Sequence, residues 1–221
     1  MLLAAGVGER MRPLTDHTPK PMLKVQGIPL LEHHIRRLVD AGFTDLVINV
    51  SHLAEQIVDY FADGRRWGAR IVWSREAQPL ETGGGIINAL PLLGEAPFMV
   101  VNGDIWTDYP FARLNDLVPL SNGGGHLVMV GNPPQHPQGD FVLGAEGKLK
   151  ARLPHESGLT YAGLAVYTCG FLSGVAGGIL PLRPLLDRAI ERQCLCGEYY
   201  SGQWVDVGTR ERLSELNTET A

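Results

Sequence analysis

Residues 1–24, MLLAAGVGERMRPLTDHTPKPMLK, constrain this chain more than any other stretch. A short apolar run over residues 1–5 reads as a strand. It breaks at Gly6 and Gly8 into a loop carrying Arg10, Arg12, Lys20 and Lys24. Glycines at the carboxyl end of a strand leave backbone N–H groups bare of any Cβ, so phosphate oxygens can approach them, and the basic loop supplies matching charge. The spacing excludes two familiar phosphate patterns. A GxGxxG turn would need glycine where Met11 stands, and no Gly-Lys-Ser/Thr follows to make a P-loop.

Beyond this loop the chain alternates helical and strand patterns. Residues 29–41 place Leu31, Ile35, Leu38 and Val39 near helical spacing and stop at Gly42. The adjacent His33 and His34 point to different parts of that helix surface, which predicts solvated or half-packed rings rather than a metal pair. Strands are expected over 45–51, 69–74, 97–101, 125–130, 140–143 and 160–167, with helices over 53–61 and 86–93 and a terminal helix from Glu211. The first strands are apolar along their length, so both their faces are buried. The expected fold is therefore α/β: a single-domain, Rossmann-like mixed sheet, mostly parallel, with helices on both faces. Such sheets bind ligands at the carboxyl ends of their strands.

Size and charge narrow the function. A chain of 221 residues with 44% hydrophobic content builds about one domain with a substantial core. A net charge of −5 and a pI near 5.8 argue against a general nucleic-acid binder, which needs a net basic face. Cys169, Cys194 and Cys196 form no C-x-x-C pair and leave an odd count, so free thiols in a reducing cytoplasm are expected. No basic-then-apolar leader precedes the opening strand, so no signal peptide is expected. The uncharged run 157–182 is broken by six glycines and Pro181, which suits buried strand and loops better than a membrane span.

Three further segments carry chemistry. In residues 76–85, EAQPLETGGG, three glycines before a helical pattern offer N–H groups, and Gln78 offers the donor and acceptor needed to read a base edge. Asp104 stands just past the apolar strand 97–101, beside Gly103, where its oxygens suit a hard cation such as Mg²⁺. Asp206 lies in a second short apolar run about a hundred residues later. Nothing in composition brings the two aspartates together.

The string L-A-A-G-x-G-x-R-M-x-P-L-T followed by T-P-K-P-M-L closely resembles the signature of the sugar-1-phosphate nucleotidylyltransferases. Q-P-L-E-T resembles that family's Q-P-L-G-T-A segment loosely, while N-G-D and W-V-D-V-G-T are similar to its two Mg²⁺-binding segments. The resemblance implies nucleotidyl transfer from a nucleoside triphosphate to a sugar 1-phosphate. Arg10 and Lys20 would be catalytic, and Asp104 and Asp206 would hold Mg²⁺. Leu3, Ala4, Ala5, Gly6, Gln78, Thr82, Gly83, Asn102 and Gly103 would bind the nucleotide, and Asp140 and Gly163 the sugar. The phrases P-L-E-T-G-G-G and F-M-V-V-N-G-D-I-W-T-D are most similar to the branch that uses UTP and N-acetylmuramate 1-phosphate in cell-wall recycling. The implied partners are small molecules, with neither nucleic acid nor membrane, and the implied state is a monomer or weak homodimer.

One departure bears on the sugar. Many family members carry E-K-P, and its nearest match here, Arg152-Leu153-Pro154, lacks the lysine. Residues 148–153 and 160–167 are expected to be the two segments that line an acceptor pocket. The remaining alternatives are a mannose- or glucose-1-phosphate nucleotidylyltransferase and a nucleotide-binding regulator without turnover.

Overall fold

The computed structural model describes residues 1–116 and 123–219. Seven strands form one twisted sheet in the order Leu195–Tyr199, Gly125–Val130, Thr160–Tyr167, Phe98–Asn102, Leu2–Leu3, Asp45–Val50, Arg70–Arg75. Four of the six neighbouring pairs are parallel. Thr160–Tyr167 runs against both of its neighbours. The expected mixed, mostly parallel sheet is therefore present.

Strand alternation decides which helix covers which face. Leu46, Ile48 and Val50 pack with Leu31, Ile35 and Leu38 of α1 (Leu30–Asp40) and with Ile57 and Phe61 of α2 (Ala54–Phe61). Val47 and Val100 point the other way, toward Ile86 and Ala89 of α3 (Glu81–Leu93) and Leu185, Leu186 and Ala189 of α4 (Arg183–Glu191). Both faces are thus apolar along the central strands, and the period-2 signal of a half-exposed strand is absent. At the end of α1, Gly42 adopts φ +90°, a conformation that costs a Cβ-bearing residue strain, and its N–H donates to Val39 O at 2.9 Å.

Of the two segments expected at the acceptor pocket, Thr160–Tyr167 belongs to the main sheet, whereas Leu149–Ala151 pairs with Phe141–Leu143 in a separate ribbon. The uncharged run 157–182 becomes that long strand, a 3₁₀ turn (Cys169–Leu172) and loops. Among the described residues no helix is long and apolar enough to cross a membrane.

His34 is also not half-packed: it is 1% exposed, its Nε2 bonds Ile105 O at 2.8 Å, and its Nδ1 has no partner. Burial pushes its pKa down to about 4, against about 6.5 for an unfolded imidazole. The unfolded chain therefore binds the extra proton between these values. The stability this group contributes is complete above pH 6.5 and is lost as pH falls toward 4, by about 3 kcal/mol at ~1.4 kcal/mol per pH unit. Urea unfolding from pH 7 to 4.5 should show that slope, and His34→Gln, which keeps a donor for Ile105 O, should flatten it. An unchanged slope would show that other groups drive acid unfolding.

Candidate active site

The parallel strands all end on one edge of the sheet, and their carboxyl ends bring together Ala4–Gly8, Asn49, Glu76 and Asn102–Asp104. Between them lies a cleft of about 690 Å³ lined by Leu3 to Met11, Lys20, Asn49, Pro79 to Thr82, Asn102, Asp104 and Gly208. Gly6 is exposed and a Cβ there would meet nothing within 4 Å, so the chain offers bare backbone to the cleft. Gly8 has a different reason: it sits at φ +71°, and a Cβ would meet Thr15 Cγ2 at 2.9 Å and Lys20 Cβ at 3.2 Å. Only glycine lets the basic loop fold back so that Lys20 enters the cleft.

Lys20 is held in a 3₁₀ turn, Lys20–Met22, entered through Pro19 at ψ 140° and followed by Pro21. Its side chain is 9% exposed, and its Nζ donates to Asp104 Oδ2 at 2.6 Å. Arg10 lies exposed on the cleft wall and, among the described residues, has no ion pair. The cations do not dominate this cleft, because Glu9, Glu76, Glu81 and Asp104 share its lining with them. A triphosphate here gains from an added cation.

Asp206 reaches the site through a two-stranded ribbon. Ile105–Thr107 pairs antiparallel with Trp204–Asp206, placing Asp206 opposite Ile105, and Val207 N–H donates to Asp104 O at 3.0 Å. The two aspartates a hundred residues apart thus sit on adjoining backbone. Asp206 Oδ2 accepts from Arg212 Nη1 at 2.6 Å. Both carboxylates lie partly open, Asp104 at 38% and Asp206 at 26%, and Asn102 Oδ1 is buried between the clefts without a partner. Among the described residues no group of three or more His, Cys, Asp or Glu side chains is placed to hold a metal ion. Two hard carboxylates fit a Mg²⁺ ion that takes its other ligands from phosphate oxygens and water, and they do not fit an all-protein cage.

A second cleft of about 210 Å³ adjoins the first, and Asn102 and Asp104 line both. Its walls come from Pro133, Gln135, His136, Thr160 to Gly163, Trp204 and Asp206. Trp204 Nε1 donates to Ala162 O at 2.8 Å, joining two of those walls. Gly163 stands at φ +76° where the register of Thr160–Tyr167 shifts, and a Cβ would come 2.7 Å from Asn102 Cγ. Asp140, expected at the sugar, is not in the cleft wall. It accepts Tyr161 N–H at 2.8 Å and bonds His136 Nε2 at 3.1 Å, so it props the wall from behind. Arg152 Nη1 donates to Leu153 O and Glu156 O in its own turn, and neither it nor His155 lines either cleft.

Other expected nucleotide residues divide in the same way. Leu3, Ala4, Ala5, Gly6, Thr82 and Asn102 line the first cleft, whereas Gln78 is exposed and outside its lining. The N–H of Gly103 is committed to Leu3 O at 2.9 Å, so it cannot serve a ligand. The three glycines 83–85 do not precede a helix. They lie buried inside α3, where Gly84 N–H donates to Leu180 O at 3.0 Å and a Cβ on Gly83 would strike Leu180 O and Pro181 O. Gly83 and Gly84 admit a neighbouring backbone, and Gly85 admits the side chains of Asn49 and Glu76, rather than a phosphate.

Gly84→Ala tests that reading. Alanine should favour a helix by about 1 kcal/mol, yet its Cβ would overlap the Gly178 carbonyl oxygen and force segment 178–181 off the helix, costing about 1–3 kcal/mol and a backbone hydrogen bond. A net loss of about 1–2 kcal/mol is expected in urea. A more stable variant would mean that the segment yields without cost.

Sequence reasoning missed the polar support behind the first cleft. Asn49, 3% exposed, accepts Ala4 N–H at 2.8 Å and donates to Glu76 Oε1 at 2.7 Å, while Glu76 Oε2 accepts Leu80 N–H at 3.0 Å. This chain ties the glycine loop to the segment before α3. A polar residue inside an otherwise apolar strand, as in DLVINV, was the available signal.

The nucleotidyl transferase family model matches residues 1–143. N-acetylmuramate alpha-1-phosphate uridylyltransferase of Neisseria meningitidis is 46% identical over 97% of this chain and 95% of its own length. The Caulobacter vibrioides protein of that name is 34% identical over 94% and 90%. HddC from Yersinia pseudotuberculosis, complexed with GMP-PN, superposes with a TM-score of 0.82 over 100% of this chain and 98% of its own at 19% identity, a likeness of fold. With its fold, its paired clefts and these matches in agreement, the chain belongs to the nucleotidyl transferase family.

Proposed function

We propose that the protein transfers the uridylyl group of UTP to a sugar 1-phosphate, with N-acetylmuramic acid 1-phosphate as the foremost acceptor, and releases pyrophosphate. The observation that carries this reading is the adjoining of two clefts at Asn102 and Asp104. A triphosphate in the larger and a sugar phosphate in the smaller would meet at that boundary. An acceptor phosphate oxygen then attacks the α-phosphorus, a new P–O bond forms, and the bond to the β-phosphate oxygen breaks as pyrophosphate leaves. Position and charge suffice, and no side-chain nucleophile is required.

Asp104 and Asp206 would hold Mg²⁺, which supplies charge neutralisation on the phosphates. The bare backbone at Gly6 takes phosphate oxygens, Arg10 meets the pyrophosphate end, and Lys20, once released from Asp104, steadies the reacting phosphates. Gln78, exposed and one residue before the lining segment Pro79 to Thr82, is assigned to the uracil edge. Gly163 keeps Asn102 in place beside the sugar, and Asp140 acts on the sugar through His136 and Tyr161. The uridylyl and N-acetylmuramate assignments follow the names of the relatives at 46% and 34% identity. On this reading the enzyme works in the cytoplasm in peptidoglycan recycling, as a monomer or weak homodimer.

Pyrophosphate release is the direct test, with each of UTP, GTP, TTP and ATP against N-acetylmuramate, mannose and glucose 1-phosphates. The expected maximum of kcat/KM is UTP with N-acetylmuramate 1-phosphate. A maximum at GTP with mannose 1-phosphate would move the protein to another branch of the family. UTP binding without pyrophosphate from any acceptor would make it a nucleotide sensor.

A further inference from the structure

The mechanism leaves Arg212 without a task, yet it is placed against one of the two carboxylates. It projects from α5 (Arg210–Glu219), is 16% exposed, and its Nη1 donates both to Asp206 Oδ2 at 2.6 Å and to the Asp206 carbonyl at 2.7 Å. Two bonds from one planar group fix the backbone and the carboxylate of the same residue. Gly208 makes this possible, because a Cβ there would stand 2.8 Å from Arg212 Nη2 and 2.9 Å from Asp206 Oδ2. Gly208 lines the first cleft and Asp206 the second, so the turn that Arg212 clasps separates the two.

The helix that carries Arg212 is itself anchored to the basic loop. Val207 and Leu216 pack with Val25 and Leu30, Asn217 Nδ2 donates to Lys24 O at 3.2 Å, and Asn217 Oδ1 accepts Gln26 N–H at 2.8 Å. One short helix therefore braces the turn holding Asp206 and the end of the loop holding Lys20.

We propose that Arg212 is a positioning residue that orients the Asp206 carboxylate for a divalent cation carried on the nucleotide's phosphates. The inference rests on the reading of Asp206 as a metal ligand. Arg212 occupies Oδ2, and Oδ1, which accepts no hydrogen bond among the described residues, is the oxygen left for the cation. A carboxylate already held in one rotamer loses less conformational freedom on binding than a free one. The guanidinium also repels the incoming cation, so the sign of the change in cation affinity when Arg212 is replaced decides between ordering and repulsion.

Mn²⁺ binding, followed by electron paramagnetic resonance with a non-hydrolysable UTP analogue bound, tests this apart from turnover. Arg212→Met should weaken Mn²⁺ by about tenfold or more. Arg212→Lys should recover part of the loss, and binding of the analogue without metal should be unchanged. In the rate assay the same variants should need more Mg²⁺ for half-maximal rate while kcat at saturating Mg²⁺ moves less. Should Arg212→Met fail to fold, Arg212→Gln, which keeps a neutral donor beside Asp206, serves instead and should weaken Mn²⁺ likewise. Asp206→Asn is the control: if it weakens Mn²⁺ while the Arg212 variants bind as the parent does, or more tightly, the positioning role is wrong and the ligand assignment stands. If Asp206→Asn binds Mn²⁺ normally, the ligand assignment fails and takes this inference with it.

Discussion

Asp104→Asn and Asp206→Asn should each lower kcat by a hundredfold or more, about 3 kcal/mol at ~1.4 kcal/mol per decade. Asparagine keeps the shape of each side chain, so the ladder that joins Ile105–Thr107 to Trp204–Asp206 survives, and the backbone bond from Val207 N–H to Asp104 O is untouched. The charge that would hold the cation is what disappears. Each substitution also deprives an internal cation of its partner, Lys20 in one case and Arg212 in the other, with side chains 9% and 16% exposed. An unpaired, largely buried cation is costly, so both variants should unfold at lower urea, and the kinetic comparison belongs well below those midpoints. The double variant should lose little more than the worse single one, because two ligands of one ion act as a unit. Near-normal turnover in either single variant would remove that aspartate from the metal assignment.

Lys20→Met should cost turnover on a similar scale, a hundredfold or more, about 3 kcal/mol, and should do so with every accepted sugar phosphate. Methionine preserves much of the stem against Gly8 and the flanking prolines while deleting the ammonium. In the structure that ammonium sits on Asp104 at 2.6 Å. On the proposed reading a cation arriving at Asp104 would repel Lys20 and turn it toward the phosphates, so the one ammonium would serve first Asp104 and then the reacting phosphates. Since all acceptors share the phosphate, their ranking by kcat/KM should stay as in the parent. A changed ranking with the best rate intact would place Lys20 at the sugar and overturn its role. Coupling between Lys20→Met and Asp104→Asn in a double-mutant cycle should be large, because the two groups touch.

Much of this site could be read without coordinates, and the reasons are local. Gly6, Gly8 and the basic residues lie within one loop, where nearest-neighbour chemistry in the chain is also nearest-neighbour chemistry in space. The apolar runs of Asp45–Val50 and Phe98–Asn102 predicted strands buried on both faces, and both are so buried, because a parallel sheet needs helices on each side. The same local reasoning erred where a neighbour came from far along the chain. In isolation the glycines 83–85 read as an anion-binding turn, but carbonyls of residues 178–181 occupy the space beside Gly83 and Gly84, and the Asn49 and Glu76 side chains fill that beside Gly85. The resemblance placed Asp140 at the sugar, yet the fold sets it behind the cleft wall, with its carboxylate bonded to Tyr161 N–H and His136. Gly103 was in the right segment, with its N–H already given to Leu3.

By itself the sequence determined the class of sheet, the bare glycine loop and the types of charge the chemistry needs, because hydrophobic period, glycine placement and residue identity are properties of short segments. Only the tertiary structure decided that Asp206 lies beside Asp104, that Asn49 and Glu76 tie the glycine loop to the segment before α3, and that Arg212 holds Asp206. Each of those pairs joins residues on different elements, and it is the register of one strand on another and the docking of α5 that bring them within hydrogen-bond distance.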